Sequence, residues 1–353
     1  MALVREFSGG SRMGNKVNIY GIAKEAGVSV STVSRVLTGN APVKPETKRR
    51  VMDVIEKYDF RPNSLARSLL YKKSKMIGIV VPDISNPFFS TLVLQSEAFA
   101  LKSGYTTFLC NSMNDHQLET TYLYNLLDKQ VDGIIFVGGR INDSKTNPKY
   151  AEEMRDVMQR IPVVFVNGRM EGVDTHIVRT DEEAGIGKLV DLLVKYGHRD
   201  IGLLGGVSGI SATDVKHQAF RKAMERHRLP IREDWILEDG FSIESGEKAA
   251  SALMNQREHP TAVLCINDFV AIGAIKMFNK FGLRVPDDMS VAGFDDIYLA
   301  GDFPPGITTV SQNYVELGET AVRVLIDLIQ KKEVERETII PTSLVVRESC
   351  RAL

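Results

Sequence analysis

A chain of 353 residues, 43% hydrophobic and 25% charged, is long enough for two or three domains and is balanced like a globular protein, not a disordered or fibrous one. No apolar run approaches the roughly 18 residues that span a bilayer, and MALVREFSGG lacks the apolar region of a secretion signal, so a cytoplasmic location is expected. The formal charge of −1 conceals a split: residues 1–75 carry 15 Lys/Arg against 6 Asp/Glu and the remainder 29 against 39, which points to an acidic partner such as nucleic acid for the first part alone. Cys110, Cys265 and Cys350 lie far apart without metal-ligand spacing and read as reduced, buried thiols.

Residues 1–16 are Gly/Ser-rich and lack periodicity; they are expected to form a tail, and Met13 is an alternative start to Met1. Residues 17–62 read as a three-helix head. Asn18 caps a helix carrying Ile19, Ile22, Ala23 and Ala26 at helical spacing, and Gly27 supplies a sharp turn. Ser29 caps a second helix with Val33, Val36 and Leu37 inward, and a third opens at Pro45 and runs to about Tyr58. Two short helices joined by a Gly-containing turn form a helix-turn-helix, whose second helix enters the major groove of DNA. Its outer face offers Arg35 for guanine O6/N7, Val30 for a thymine methyl and Ser31 for several bases, with Ser29, Thr32 and Ser34 suited to phosphates. The competing reading is a plain solvated face.

From residue 76 short apolar strands alternate with amphipathic helices. Strands are expected at Met76–Val81, Tyr105–Cys110, Gly133–Val137, Val163–Val166, Ile201–Leu204, Ala262–Ile266 and Ser290–Gly293. Helices are expected at Pro87–Lys102, Gln117–Asp128, Glu182–Tyr196, Asp214–His227, Ser245–Gln256 and Asp268–Phe281. This alternation predicts an α/β body of two doubly wound parallel-sheet subdomains, with chain crossings near Thr180 and around Phe303–Gly306. Ligands of open α/β sheets bind beyond the carboxyl ends of strands. The polar residues there are Asp83, Ser85 and Asn86 (with Phe88 and Phe89 beyond), Asn167 and Arg169, Asp268, and Asp295 with Asp296. Asp268 also suits a helix cap, Asp295 and Asp296 suit a turn, and His198 suits a structural role. No GxSxG, P-loop, HExxH or well-placed GxGxxG is present, so an enzyme and a cofactor are not expected.

The strings VNIYGIAKEAGVSVSTVSRVLTGN and RPNSLARSLLYKKSKMIGIVVPDISNPFF strongly resemble the head and hinge of the lactose/galactose-repressor (LacI/GalR) family. LLDKQVDGIIF, KYGHRDIGLLGG, FSIESG, PTAVLCIND, VPDDMSVAGFDD and ITTVSQ extend the resemblance through the body. The resemblance implies a DNA-binding transcriptional repressor acting as a homodimer on a palindromic operator. It implies a hinge helix from Asn63 to about Tyr71 within a 63–75 linker, with Asn63, Ala66 and Leu69 on DNA and Leu69 wedged into the minor groove. It implies a periplasmic-binding-protein-like body over residues 76–353. One subdomain would comprise about 76–179 and 312–338, the other about 180–311 and 339–353, joined by three crossovers around a ligand cleft. In that cleft Asp268 would accept ligand hydroxyls, Phe241 would stack and Lys216 would contact ligand. The helices Ser90–Ala100, Leu118–Leu127 and Ile272–Phe281 would pair the protomers.

Three residues depart from sugar-sensing relatives: Asn167 and Thr180 stand where Asp is common, and Lys216 where Arg is. Ile210 and Ala212 stand where purine-sensing relatives carry Arg and Thr, which argues against a purine. A sugar, sugar acid or sugar phosphate is the expected effector. Control by a partner protein, or a sugar-binding transport role, are the alternatives. Lys44 stands where relatives place a Ser or Thr cap, and no leucine heptad follows Leu344–Val346, so a tetramerising tail is not expected.

Overall fold

The computed structural model describes residues 18–38, 41–60 and 74–353; the expected tail and the hinge with Asn63, Ala66 and Leu69 lie outside the described residues. Two compact units meet in sequence between Ser74 and Lys75.

In the first unit α1 (Ile19–Ala26) is capped by Asn18, whose side chain accepts from the Gly21 amide at 3.0 Å. Gly27 then adopts φ +64°, a left-handed conformation that lets its N–H return to the Ala23 and Lys24 carbonyls. Ser29 Oγ accepts from the Thr32 amide at 3.2 Å and opens α2 (Val30–Thr38). Pro45 opens α3 (Pro45–Lys57), where Lys44 provides no side-chain cap. Ile22, Ala23, Ala26, Val33 and Val36 form the core the spacing predicted, and Val51 of α3 joins them. An exposed Glu25–Lys57 pair at 2.6 Å ties α1 to α3.

The second unit contains two parallel sheets. The first runs β11-β5-β4-β3-β1-β2, with β1 Met76–Val81, β2 Thr106–Asn111, β3 Gly133–Val137, β4 Val163–Val166, β5 His176–Thr180 and β11 Glu337–Ile340. The second runs β7-β6-β8-β9, with β6 Ile201–Leu204, β7 Ile236–Leu237, β8 Ala262–Cys265 and β9 Ser290–Ala292. Strands buried on both faces read as apolar runs such as MIGIVV and GIIFV, and Ile79 stands in register with Leu109 on one side and Ile135 on the other. Helices 87–102 and 314–329 cover one face of the first sheet, and helices 116–128 and 148–158 the other. The second sheet lies between helices 182–195 and 211–226 on one side and 243–254 and 268–280 on the other.

The chain passes between the sheets at Thr180–Asp181, as expected. The second passage is at Gln312–Asn313, beyond the Phe303–Gly306 break, because β10 (Thr309–Ser311) still packs with the second sheet's core. The third follows Ile340. β10 pairs antiparallel with β12 (Ser343–Val345), and the Asp181 amide donates to the Ile340 carbonyl at 2.9 Å, so the three passages are stitched together.

Candidate functional site

Both sheets reverse their strand order, at β1/β3 and at β6/β8, and a crevice opens at the carboxyl ends of such strands. The two crevices face one another across a cavity of about 420 Å³. Residues following β1 (Pro82, Asp83, Asn86), β3 (Gly138, Gly139) and β4 (Asn167) line one side, and residues following β6 (Ile210, Ala212, Lys216), β8 (Asn267) and β9 (Asp295) line the other. Phe88, Phe89 and Phe241 supply the aromatic surface, with Phe88 and Phe89 edge-to-face at 5.0 Å.

A chain of polar contacts closes the inner end. Asn167 is held at φ +50°, accepts from the Thr180 amide at 2.9 Å and donates to Gln312 at 2.9 Å. Gln312 accepts from the Thr180 hydroxyl at 2.6 Å and donates to Asp295 at 2.6 Å. Lys216, only 5% exposed, lies 3.4 Å from Glu182 and 4.0 Å from Asp295, donates to the Ile266 carbonyl at 3.1 Å and sits over the Phe294 ring. Burial pushes the Asp295 carboxyl up to about 6, against the pull of Lys216 and the Gln312 hydrogen bond.

The rest of the first-sheet side was not legible in the sequence. Asn114, His116, Asn142 and Asp143 line it, and His116 Nδ1 lies 3.6 Å from Asp143. Behind them Arg140 is fully buried, with Nε donating to Glu119 at 2.6 Å, one terminal nitrogen donating to Glu153 at 3.0 Å and the other to the His116 carbonyl. Burial raises the Glu119 carboxyl despite that guanidinium. At the outer lip the walls touch. The Ser144 amide donates to the Gly209 carbonyl at 2.8 Å, the Ser144 hydroxyl donates to Asp214, and Asp143 bridges to Ile210.

Of the ligand candidates, Asp83, Asn86, Phe88, Phe89, Asn167, Lys216, Phe241 and Asp295 meet at this cavity; Ser85, Arg169 and Asp268 do not. Ser85 turns its hydroxyl back onto Asp83 at 2.6 Å. Arg169 extends to solvent and pairs with Glu337 at 3.2 Å. Asp268 is 0% exposed and accepts from the Ile297 amide and the Thr309 hydroxyl, at 2.9 and 2.6 Å. The helix cap is Asn267, which accepts from Val270, donates to the Phe241 carbonyl and faces the cavity in place of Asp268. His198 is structural, 2.8 Å from the Thr261 hydroxyl and 3.1 Å from the Arg351 carbonyl. The three cysteines are buried and free.

On the head, Ser29, Ser31 and Arg35 are exposed along one side of α2, while Thr32 and Ser34 are half-buried. Val30 is half-buried too, packed against the head core with part of its side chain outward. Ser29 Oγ lies 2.7 Å from Ser31 Oγ and 2.9 Å from Thr32 Oγ1, gathering three hydroxyls at the start of α2. Tyr20, 70% exposed on α1, was not singled out in the sequence. Among the described residues no helix is long and apolar enough to cross a membrane, and no group of three His/Cys/Asp/Glu is placed to hold a metal.

Residues 18–63 match the family of bacterial regulatory proteins called lacI, and residues 190–350 match a periplasmic binding protein-like domain. The chain is 33% identical to the HTH-type transcriptional repressor PurR of Mannheimia succiniciproducens, over 95% of this chain and 99% of that protein. It is 34% identical to catabolite control protein A of Priestia megaterium, with the same coverage. A lac repressor dimer solved on its operator with the anti-inducer ONPF superposes with a TM-score of 0.83 at 28% identity, covering 96% of this chain and all of that one. A lacI family regulator from Enterococcus faecium with bound ribose superposes with a TM-score of 0.68 at 28% identity, covering 79% of this chain and 99% of that one. These relatives are transcriptional regulators, not enzymes.

Proposed function

This chain belongs to the lacI family of DNA-binding transcriptional repressors, and we propose that it grips a near-palindromic operator as a homodimer under the control of a carbohydrate-like effector seated in the body cleft. The observation that carries the reading is the cavity itself. Phe88, Phe89 and Phe241 supply apolar lining suited to the C–H face of a sugar ring, and Asn86, Asn167, Asn267 and Gln312 supply amides suited to its hydroxyls. Ile210 and Ala212 line the same cavity without a polar group, which favours a sugar over a purine.

Two copies are needed because one helix-turn-helix reads only a short half-site. Exposed apolar side chains suit the pairing surface: Leu94 and Leu101 on helix 87–102, Leu109 on edge strand β2, Tyr124 on helix 116–128 and Phe281 after helix 268–280. In this reading Asn63, Ala66 and Leu69 contact the operator centre, with Leu69 as the wedge, and Arg35 reads a guanine in each half-site. An effector that prefers one arrangement of the two subdomains shifts the population competent for DNA.

Selection of binding sites from a random duplex library, using purified full-length protein at fixed salt, tests this. The expected product is a palindrome with a flexible central step, whose retention changes when sugars are added. Sequence-independent binding both with and without sugars would overturn the reading; specificity that appears only with a second protein would replace the small effector with a partner.

A further inference from the structure

The cleft's charge balance says more about the effector than its shape does. Four carboxylates line it, Asp83, Asp143, Glu182 and Asp295, against the ammonium of Lys216. That ammonium is already committed to Glu182, Asp295 and the Ile266 carbonyl. His116, the other basic side chain in the lining, turns Nδ1 to Asp143 at 3.6 Å. Arg140, in the layer behind, is engaged by Glu119 and Glu153 and brings no net positive charge. Helix starts near the cleft also have acceptors of their own: Asn86 takes the Phe88 amide, Asn267 the Val270 amide and Asp181 the Ala184 amide. Helix 211–226 begins at Ile210 without a side-chain cap, but Asp214 supplies negative charge in its first turn. An incoming phosphate or carboxylate would therefore meet four negative groups and no uncommitted positive one. Burial raises the Asp143 and Asp295 carboxyls, against the pull of His116 and Arg140 on the first and of Lys216 and the Gln312 hydrogen bond on the second.

Resting on the effector reading above, we infer that the cleft takes an uncharged or ammonium-bearing polyhydroxy ligand and rejects phosphorylated and carboxylated sugars. Asp143 is the residue that sets this choice. It stands at the lip, bridged to Ile210 through its backbone, with its carboxylate on the cavity side beside His116. A ligand ammonium or hydroxyl hydrogen there completes the carboxylate's hydrogen bonds, whereas an anion faces it directly.

Calorimetry on the full-length protein tests this with matched sets: each neutral pentose, hexose or disaccharide beside its amino, uronic-acid and phosphate counterparts, and inorganic phosphate alone. In a set that binds, the neutral or amino member should bind at least tenfold more tightly than the anionic ones, and inorganic phosphate should give no heat. Asp143→Asn should cut the discrimination about threefold. Raising salt from 50 to 500 mM should narrow it in the unaltered protein, a readout that does not depend on the variant folding. An anionic member binding more tightly than its neutral counterpart overturns the inference and leaves the carbohydrate reading standing. Silence across every set overturns that reading and the inference with it. Discrimination unchanged in Asp143→Asn removes Asp143 from the role.

Discussion

Asn267 and Asp268 are adjacent, and sequence alone does not say which one caps the helix and which one is buried. Both residue types cap well, and the outcome turned on a contact far away in sequence, the Thr309 hydroxyl and Ile297 amide that claim the Asp268 carboxylate. Asp295 poses the converse case, a buried carboxyl kept at the cavity. Because its folded pKa is raised to about 6, the stability it contributes is fully present only below the unfolded value near 3.9 and is lost as pH climbs through 6. Between pH 4.5 and 7 the protein should therefore lose about 2 kcal/mol more than an Asp295→Asn variant, measured by urea denaturation at each pH. Parallel pH curves would show that Asp295 ionises as freely in the folded chain as in the unfolded one. Six of the cavity-lining candidates, Asp83, Asn86, Phe88, Phe89, Asn167 and Asp295, were legible because residues beyond strand carboxyl ends face a crevice whatever the fold's details, whereas Lys216 and Phe241 came from the family resemblance. His116, Asn142 and Asp143 were not, since they stand on a loop and a helix start with no pattern of their own.

Among the elements, most strands buried on both faces and most helices with an apolar stripe were readable to within a few residues, though helix 314–329, with Leu317, Ala321 and Leu325 on its buried face, was not picked out. β5 and β11 were not, because HIVRT and ETII hold too few apolar residues to announce a strand; β5 is defined by pairing with β4 and β11, and β11 by pairing with β5 across about 160 residues. Helix 148–158 escaped for a similar reason: PKYAEEMRDVM buries only Ala151, Met154 and Val157. Helices 243–254 and 268–280 illustrate packing that no periodicity reports. They approach so closely that a Cβ on Gly273 would collide with the Ile243 carbonyl oxygen and lie 2.8 Å from the Glu247 amide nitrogen. Gly273→Ala gains about 1 kcal/mol of helix propensity, yet the collision with rigid backbone should outweigh it and leave a net loss of about 1–3 kcal/mol. A raised melting temperature in the variant would mean that the two helices have room to separate.

At the scale of the molecule, the charge split first seen in the sequence coincides with the structural division: a basic unit before Ser74 and an acidic one after it. The cleft sits wholly in the acidic unit, apart in sequence from the basic head. The two walls of that cleft are joined at the inner end by the three chain passages and at the outer lip by Ser144 on Gly209 and Asp214. Ser144→Ala removes the hydroxyl bond to Asp214, and a net hydrogen bond is worth about 0.5–1.5 kcal/mol. Stopped-flow dissociation of the effector should quicken by roughly two- to tenfold, with little change in the rate of entry. An unaltered release rate would place the slow step elsewhere. If the lip sets release, it also sets duration: an occupied molecule keeps its state after the free effector has been consumed, so the response outlasts the signal for as long as Ser144 stays in place.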